Sequence, residues 1–281
     1  MLYLILAIAS SALVSICMRL CERHVRGNMV MFTANYAICL AISLMYMKGF
    51  RLFVREDGMA WAAGLGIVSG FLYLAGFALL QMNIRHNGVI LSSAAMKLGG
   101  VLVPVLLALA IFRERMAWTQ VAGVVLAIAA VLLMNAERGG ARAAGGKLHW
   151  LLVLLLASGV TDAMANIYEK TGSAALQDHY LFYTFLAALL SALAMALIKR
   201  QAWRAKDMLC GLLIGIPNYF SARFLLLALG SVPAVVTYPV YSVGTMIVIT
   251  TTGVLAFHEK LSGRKKLALA LVLAVLVLMN V

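Results

Sequence analysis

Two stretches, "AIFRERMAWTQVAGVVLAIAAVLLMN" (Ala110–Asn135) and "LAFHEKLSGRKKLALALVLAVLVLMN" (Leu255–Asn280), lie over one another without a gap when the sequence is shifted by 145 residues. Phe112, Glu114, Met134 and Asn135 then meet Phe257, Glu259, Met279 and Asn280. Apolar filler matches by chance, but a Phe-x-Glu-basic-apolar turn at the same place in both copies is more specific. Internal repetition of this kind decides how the whole chain is divided. A shift of 147 aligns the beginnings of the two copies, placing Ser11, Ser15, Arg19 and Glu22 over Ser158, Asp162, Asn166 and Glu169. Both quartets are spaced four, four and three, which keeps four polar side chains on one face of a helix.

The surrounding composition says where such helices live. Of the 281 residues, 64% are hydrophobic and only 12% charged, with a mean hydropathy of +0.99. Soluble domains carry about 25% charged residues, so the chain belongs in a bilayer. A spanning helix needs about 20 mostly apolar residues, and the sequence predicts ten. They fall near 1–20, 29–47, 59–82, 89–112, 117–135, 150–171, 179–198, 209–229, 233–257 and 264–281. The stretch from Ala136 to His149, rich in glycine and base, reads as a linker. The expected division is a first five-helix repeat over 1–138, a linker over 139–148 and a second repeat over 149–281. The first span starts at Met1 with no basic n-region and no small-residue cleavage site, so it reads as a retained helix. Five spans per half is an odd number, so the second half must cross the membrane opposite to the first. The predicted fold is all-α and polytopic, with ten transmembrane helices in two inverted repeats and a site near the midplane between them.

At this point the chain resembles the drug/metabolite transporter superfamily in its ten-helix form with two EamA-like halves. The resemblance rests on the doubled five-span pattern, the "AIFRERM" and "LAFHEKL" turns, and "VLVPVLLALAIFRER" with its proline; it covers essentially the whole chain. It implies a basket of two inverted halves that moves a small organic solute across the cell (inner) membrane by alternating access. It implies no catalytic residue and no cofactor. The family's cargoes range over amino acids, sugars, nucleotide sugars, amines and vitamins, so membership does not name the solute.

Charges inside the spans are the candidate site residues, because an ionisable side chain at the bilayer centre costs about 3 kcal/mol even on lenient scales. Asp162 lies about 18 Å into its span at 1.5 Å per residue, Lys97 lies in the fourth span and Arg223 in the eighth. Lys97 shares a helix face with Ser93, Gly100 and Pro104, and Arg223 with Gly215 and Tyr219. Asp162 shares one with Ser158, Asn166 and Glu169. Facing lipid would leave these groups unpaired, so the stripes are expected to face a cavity, with Pro104 and Pro217 loosening their helices. The substrate-binding candidates are therefore Lys97, Asp162, Asn166, Tyr219, Arg223, Tyr238, Tyr241 and Ser93. Arg19, Glu22 and Glu169, near helix ends, are candidates for a gate or for coupling. A structural alternative is a buried salt bridge from Asp162 to Lys97 or Arg223. Glu114 and Glu259 are expected to be structural, each accepting from the free N–H groups of the next helix's first turn. Tyr3, Tyr36, Tyr46 and Trp61 are assigned to interfacial belts or packing, and Gly64, Gly66 and Gly70 to close helix approach.

One acid and two bases suit a solute with a carboxylate. An amino-acid-like zwitterion, its amine on Asp162 and its carboxylate on Lys97 or Arg223, is the leading expectation. A quaternary amine such as choline, held by cation–π attraction to the tyrosines, is the runner-up, followed by a lipid or polyprenyl-carrier flippase. A carboxylate such as Asp162 can also carry a proton, so a coupled proton or cation is an expected partner beside membrane lipid. An enzyme is not expected: all five histidines lie in connections or at helix ends. The four cysteines, Cys17, Cys21, Cys39 and Cys210, show neither a disulfide framework nor a metal spacing. The net charge of +13 is spread over short connections, which signals orientation and not nucleic-acid binding. Connections after odd-numbered spans hold 15 of the 23 Lys and Arg, and those after even-numbered spans 6. The positive-inside rule then places both termini outside, whereas the resemblance favours both inside. A monomer or homodimer suffices, since two halves complete a site.

Overall fold

The protein is seen in a computed structural model that describes residues 1–21, 24–47, 51–135 and 148–257, and single residues after 262. The linker up to residue 147, Glu22, Glu259 and most of the tenth span lie outside the described residues. Among those described, every regular element is helical. The α-helices are α1 (Leu2–Cys21), α2 (Asn28–Tyr46), α3 (Met59–Ala110), α4 (Trp118–Asn135), α5 (Leu148–Thr171), α6 (Gln177–Ile198), α7 (Ala205–Leu229) and α8 (Ala234–Phe257). Seven segments are long and apolar enough to cross a membrane, from Leu2–Cys21 to Ala234–Leu255. The chain is a multi-pass membrane protein by this measure.

The segments expected at 59–82 and 89–112 both lie in α3, whose residues are helical from Met59 to Ala110. Within those 52 residues, Met59–Ile84 is long and apolar enough to cross a membrane by itself and Ala95–Ala110 is a shorter apolar helix. The polar residues between the two segments are hydrogen-bonded. Asn83 Nδ2 donates to the Leu79 carbonyl at 3.0 Å and to the Trp150 carbonyl at 3.0 Å, and Asn87 Nδ2 donates to Asn83 Oδ1 at 3.1 Å.

The chain forms two compact units, each built from both sequence halves. One holds Leu2–Leu74 and Ile167–Ala228, the other Ala75–Asn166 and Leu229–Val281 with Met1. In the first, α2 packs along α6; in the second, α4 packs on α8.

Within the α2/α6 unit, two glycine pairs set helix crossings. A β-carbon on Gly66 would meet the Tyr180 carbonyl and the Tyr183 side chain, and one on Gly70 the Thr184 carbonyl and Ala187. On α7, a β-carbon on Gly211 would meet the Met31 carbonyl and Ala34, and one on Gly215 the Asn35 carbonyl and Ile38. The pairs are 145 residues apart, and the residues they touch are 149 apart throughout, from Met31 and Tyr180 to Ile38 and Ala187. Removing the side chain lets the backbones approach, as expected where lipid supplies no hydrophobic drive between helices. Gly64, assigned the same role, faces open space.

Helix ends are capped from far along the chain. α2 begins without a capping side chain of its own. Asp207 supplies it: Oδ1 accepts from Arg26 N at 3.0 Å and Oδ2 from Gly27 N at 3.1 Å. Gln201 Oε1 accepts from Met29 N at 3.0 Å. Gln201 reaches there because α6 closes with Arg200 at φ 48° and Gln201 N bonded back to the Ala196 carbonyl, a left-handed stop that turns the chain. α3 closes in the same way, with Arg113 at φ 53° and Glu114 N bonded to the Ala108 carbonyl. Glu114 Oε2 then accepts from Val235 N at 3.1 Å. Glu114 thus accepts from a helix's first turn, that of α8.

Candidate functional site

In the α4/α8 unit, α3 crosses α5 at small residues. A β-carbon on Gly99 would run into the Leu155 carbonyl and Ser158 Oγ, and one on Gly159 into Val103 and the Gly99 carbonyl. Ser158 Oγ donates across the crossing to the Met96 carbonyl at 3.1 Å. The backbones therefore approach closely, and the charges flanking the crossing come together. Asp162, one turn beyond Ser158, lays its carboxylate over Gly100, where a β-carbon would collide with Oδ2. Lys97, three residues before Gly100, lies near enough for its ammonium and the Asp162 carboxylate to attract one another.

Neither charge is consumed by the fold. Among the described residues, no hydrogen bond or ion pair within 4.0 Å occupies the Lys97 ammonium or the Asp162 carboxylate, and both side chains keep accessible surface. Tyr238, fully buried on α8, donates its hydroxyl to the Asp162 backbone carbonyl at 2.7 Å. That bond holds α5 at the height of Asp162 and leaves the carboxylate free to act. Asn166, four residues on, is fully buried, and neither its amide oxygen nor its amide nitrogen has a partner among the described residues. An enclosed amide without partners costs about 1–3 kcal/mol, so it is a group awaiting a hydrogen bond. Tyr241 lies half-buried on α8. Ser93 lies on α3, its side chain outside the described ones.

Arg223 and Tyr219 belong to the α2/α6 unit and have other company. Arg223 Nη1 pairs with Asp178 and donates to Tyr219 Oη at 3.1 Å. Its guanidinium lies 4.0 Å from the centroid of the Tyr46 ring, which itself stacks on Tyr219 at 5.8 Å. Tyr46, assigned to an interfacial belt or to packing, thus packs against the Arg223 cation. Asp178, not singled out from the sequence, is the acid that serves Arg223. Its signal was its place in the first turn of α6, on a connection and not inside a span.

The gate candidates are spread along helix ends. Arg19 is exposed in the last turn of α1, and Glu169 Oε2 lies 3.6 Å from Lys170 Nζ. Sequence reasoning missed Gly100 as the seat of Asp162, Asp207 and Gln201 as caps, and the ring pair Tyr168–Tyr180, whose centroids are 4.2 Å apart. Among the described residues no cluster of His, Cys, Asp and Glu is arranged to hold a metal.

No family model matches the chain. An uncharacterized protein of Haemophilus influenzae is 25% identical over 269 residues, which span 92% of this chain and 90% of that one. A crystal structure of another protein superposes with a TM-score of 0.75 at 17% identity, covering 99% of this chain and 94% of the other. At that identity the likeness is one of fold.

Proposed function

We propose that the chain is a secondary transporter of the drug/metabolite type in the cell (inner) membrane. It moves a small amino-acid-like solute by alternating access and binds it between Lys97 of the first sequence half and Asp162 of the second. The observation that carries the reading is the state of those two charges. They flank a glycine crossing inside a membrane protein, attract one another, and remain accessible and, among the described residues, without hydrogen bonds. A structural salt bridge would close to contact distance, because separation at low dielectric forfeits the attraction that offsets desolvation. A gap between an ammonium and a carboxylate fits a zwitterion whose carboxylate meets Lys97 and whose amine meets Asp162.

The ten-span inverted repeat belongs to this proposal. It is supported by the reciprocal glycine crossings, Gly66 and Gly70 of α3 against α6 and Gly211 and Gly215 of α7 against α2, whose members keep constant offsets between the halves. The experiment is a thermal-shift screen of purified protein against amino acids, carboxylates, sugar phosphates and choline, run beside Asp162→Asn and Lys97→Gln. Ligand that binds only the folded state raises its stability. Stabilisation by amino acids that both folded variants lose supports the reading. Stabilisation by choline alone, lost only in Asp162→Asn, would replace it with the quaternary-amine reading.

A further inference from the structure

Polar side chains on α3 and α5 bond back to their own helices. The Asn83 amide donates to the carbonyl four residues earlier, that of Leu79, at 3.0 Å. On α5 the Thr161 hydroxyl donates in the same way to the Ala157 carbonyl at 2.8 Å. Ser158 Oγ lies 3.1 Å from the Leu155 carbonyl and 3.1 Å from the Met96 carbonyl. The carbonyl one turn back lies beside such a side chain and is its nearest acceptor.

Asn166 departs from this pattern, and the geometry gives the reason. The acceptor one turn back is the Asp162 carbonyl, which the regular hydrogen bond of α5 already joins to the Asn166 backbone N–H. A carbonyl oxygen has two lone pairs, and the Tyr238 hydroxyl donates to the other at 2.7 Å. The oxygen is therefore full. Asn166 stays fully buried, with neither Oδ1 nor Nδ2 partnered among the described residues. Tyr238 in effect keeps the amide from folding back onto α5. Both residues, with Lys97 and Asp162, belong to the α4/α8 unit.

An enclosed amide with both a donor and an acceptor to offer selects its partner. A second carboxamide brings an N–H to Oδ1 and an oxygen to Nδ2 together. A carboxylate answers Nδ2 alone and sets its charge against Oδ1, and a thioether or alkyl chain answers neither. Asn166 lies one turn past Asp162, about 6 Å further along α5 on nearly the same face. A solute whose amine rests on Asp162 can therefore carry its side chain to Asn166. Glutamine spans that rise better than the shorter asparagine. With Lys97 answering the carboxylate and Asp162 the amine, a neutral side chain leaves no buried charge unpaired.

We infer that Asn166 is the specificity-determining residue of the site and that its cargo is a neutral amino acid with a carboxamide side chain, glutamine before asparagine. Tyr238 is the positioning residue that keeps the Asn166 amide available. The inference rests on the transport reading above. A site built around a hydrogen-bonding group rejects an analogue that lacks it, because its own buried polar atoms then stay unpaired.

The test is calorimetric titration of purified protein with glutamine, methionine and glutamate. Methionine matches glutamine in length without the amide, and glutamate matches it in shape with a charge. The wild type is expected to prefer glutamine to either by about ten- to a hundredfold, a comparison that needs no variant to fold. In Asn166→Leu the ratio of glutamine to methionine affinity falls to about one. Its melting temperature without ligand holds or rises, because an apolar group replaces an unpaired amide. Asn166→Ala, with less bulk, is the second variant and gives the same ratio. Tyr238→Phe vacates a lone pair of the Asp162 carbonyl for the Asn166 amide, so the glutamine preference shrinks; added to Asn166→Leu, it changes the ratio no further. A wild type that binds glutamine and methionine alike, or variants at Asn166 that keep the preference, overturns the assignment and leaves the transport reading standing. Amino-acid binding that survives both Lys97→Gln and Asp162→Asn overturns the transport reading, and a folded wild type that binds none of the three overturns both.

Discussion

Replacing Gly100 with alanine tests the site with one methyl group. The β-carbon would sit well inside contact distance of Asp162 Oδ2, so the carboxylate must retreat by about 1 Å to restore ordinary contact, a displacement that can cost a reacting or binding group roughly a hundredfold. The hydrogen bond to a bound amine is charge-assisted and worth about 1.5–3 kcal/mol, or roughly ten- to a hundredfold in Kd. Stability argues the other way: alanine in a helix interior is favoured over glycine by up to about 1 kcal/mol, so the variant is expected to fold. Gly64→Ala and Gly76→Ala are the controls, since neither β-carbon would meet an atom within 4 Å. Affinity for an amino-acid ligand is measured by calorimetry on the three variants, with melting followed in the same detergent. Binding that weakens at least tenfold in Gly100→Ala alone supports the geometry. Binding unchanged in Gly100→Ala would refute the placement of cargo on Asp162.

Asp207→Ala strips the partners from two backbone N–H groups at a fully buried carboxylate and is expected to destabilise by about 1–3 kcal/mol, read as a lower melting temperature, with Asp207→Asn intermediate. Asp178 and Arg223 both keep some accessible surface, so a double-mutant cycle with Asp178→Asn and Arg223→Gln should return a coupling of about 0.2–1 kcal/mol; a coupling of several kcal/mol would mean the pair is buried like a core ion pair. Orientation is tested with a cysteine added at the C-terminus: the Lys and Arg count predicts modification by an impermeant maleimide in intact cells, and modification only after permeabilisation would favour the opposite topology.

Hydropathy located the helices because a bilayer demands a long apolar run wherever the chain crosses, and α1, α2 and α4 to α8 begin and end close to their expected positions. Between the third and fourth expected spans the chain stays helical, and the amides of Asn83 and Asn87 are bonded to the Leu79 and Trp150 carbonyls and to one another, a pattern that a window average does not see. The face periodicity that joined Lys97 to Gly100 and Asp162 to Asn166 was legible, since it depends only on 3.6 residues per turn. Which face meets which was not. Two bases competed for Asp162, and it was the small pair Gly99–Gly100 against Gly159 that brought Lys97 to it, while Arg223 took an acid from a connection. Long-range caps such as Asp207 on α2 leave no local trace, because the donor and acceptor are separated by some 180 residues.

The most direct test of the central claim is solute counterflow in proteoliposomes, with unlabelled amino acid inside and a trace of labelled amino acid outside. The account predicts transient accumulation of label with the wild type, lost in Asp162→Asn and Lys97→Gln. An imposed pH gradient that changes the uptake would add a coupled proton, and indifference to it would exclude one. No accumulation of any amino acid by a folded, reconstituted wild type, or equal accumulation by both variants, would contradict the account.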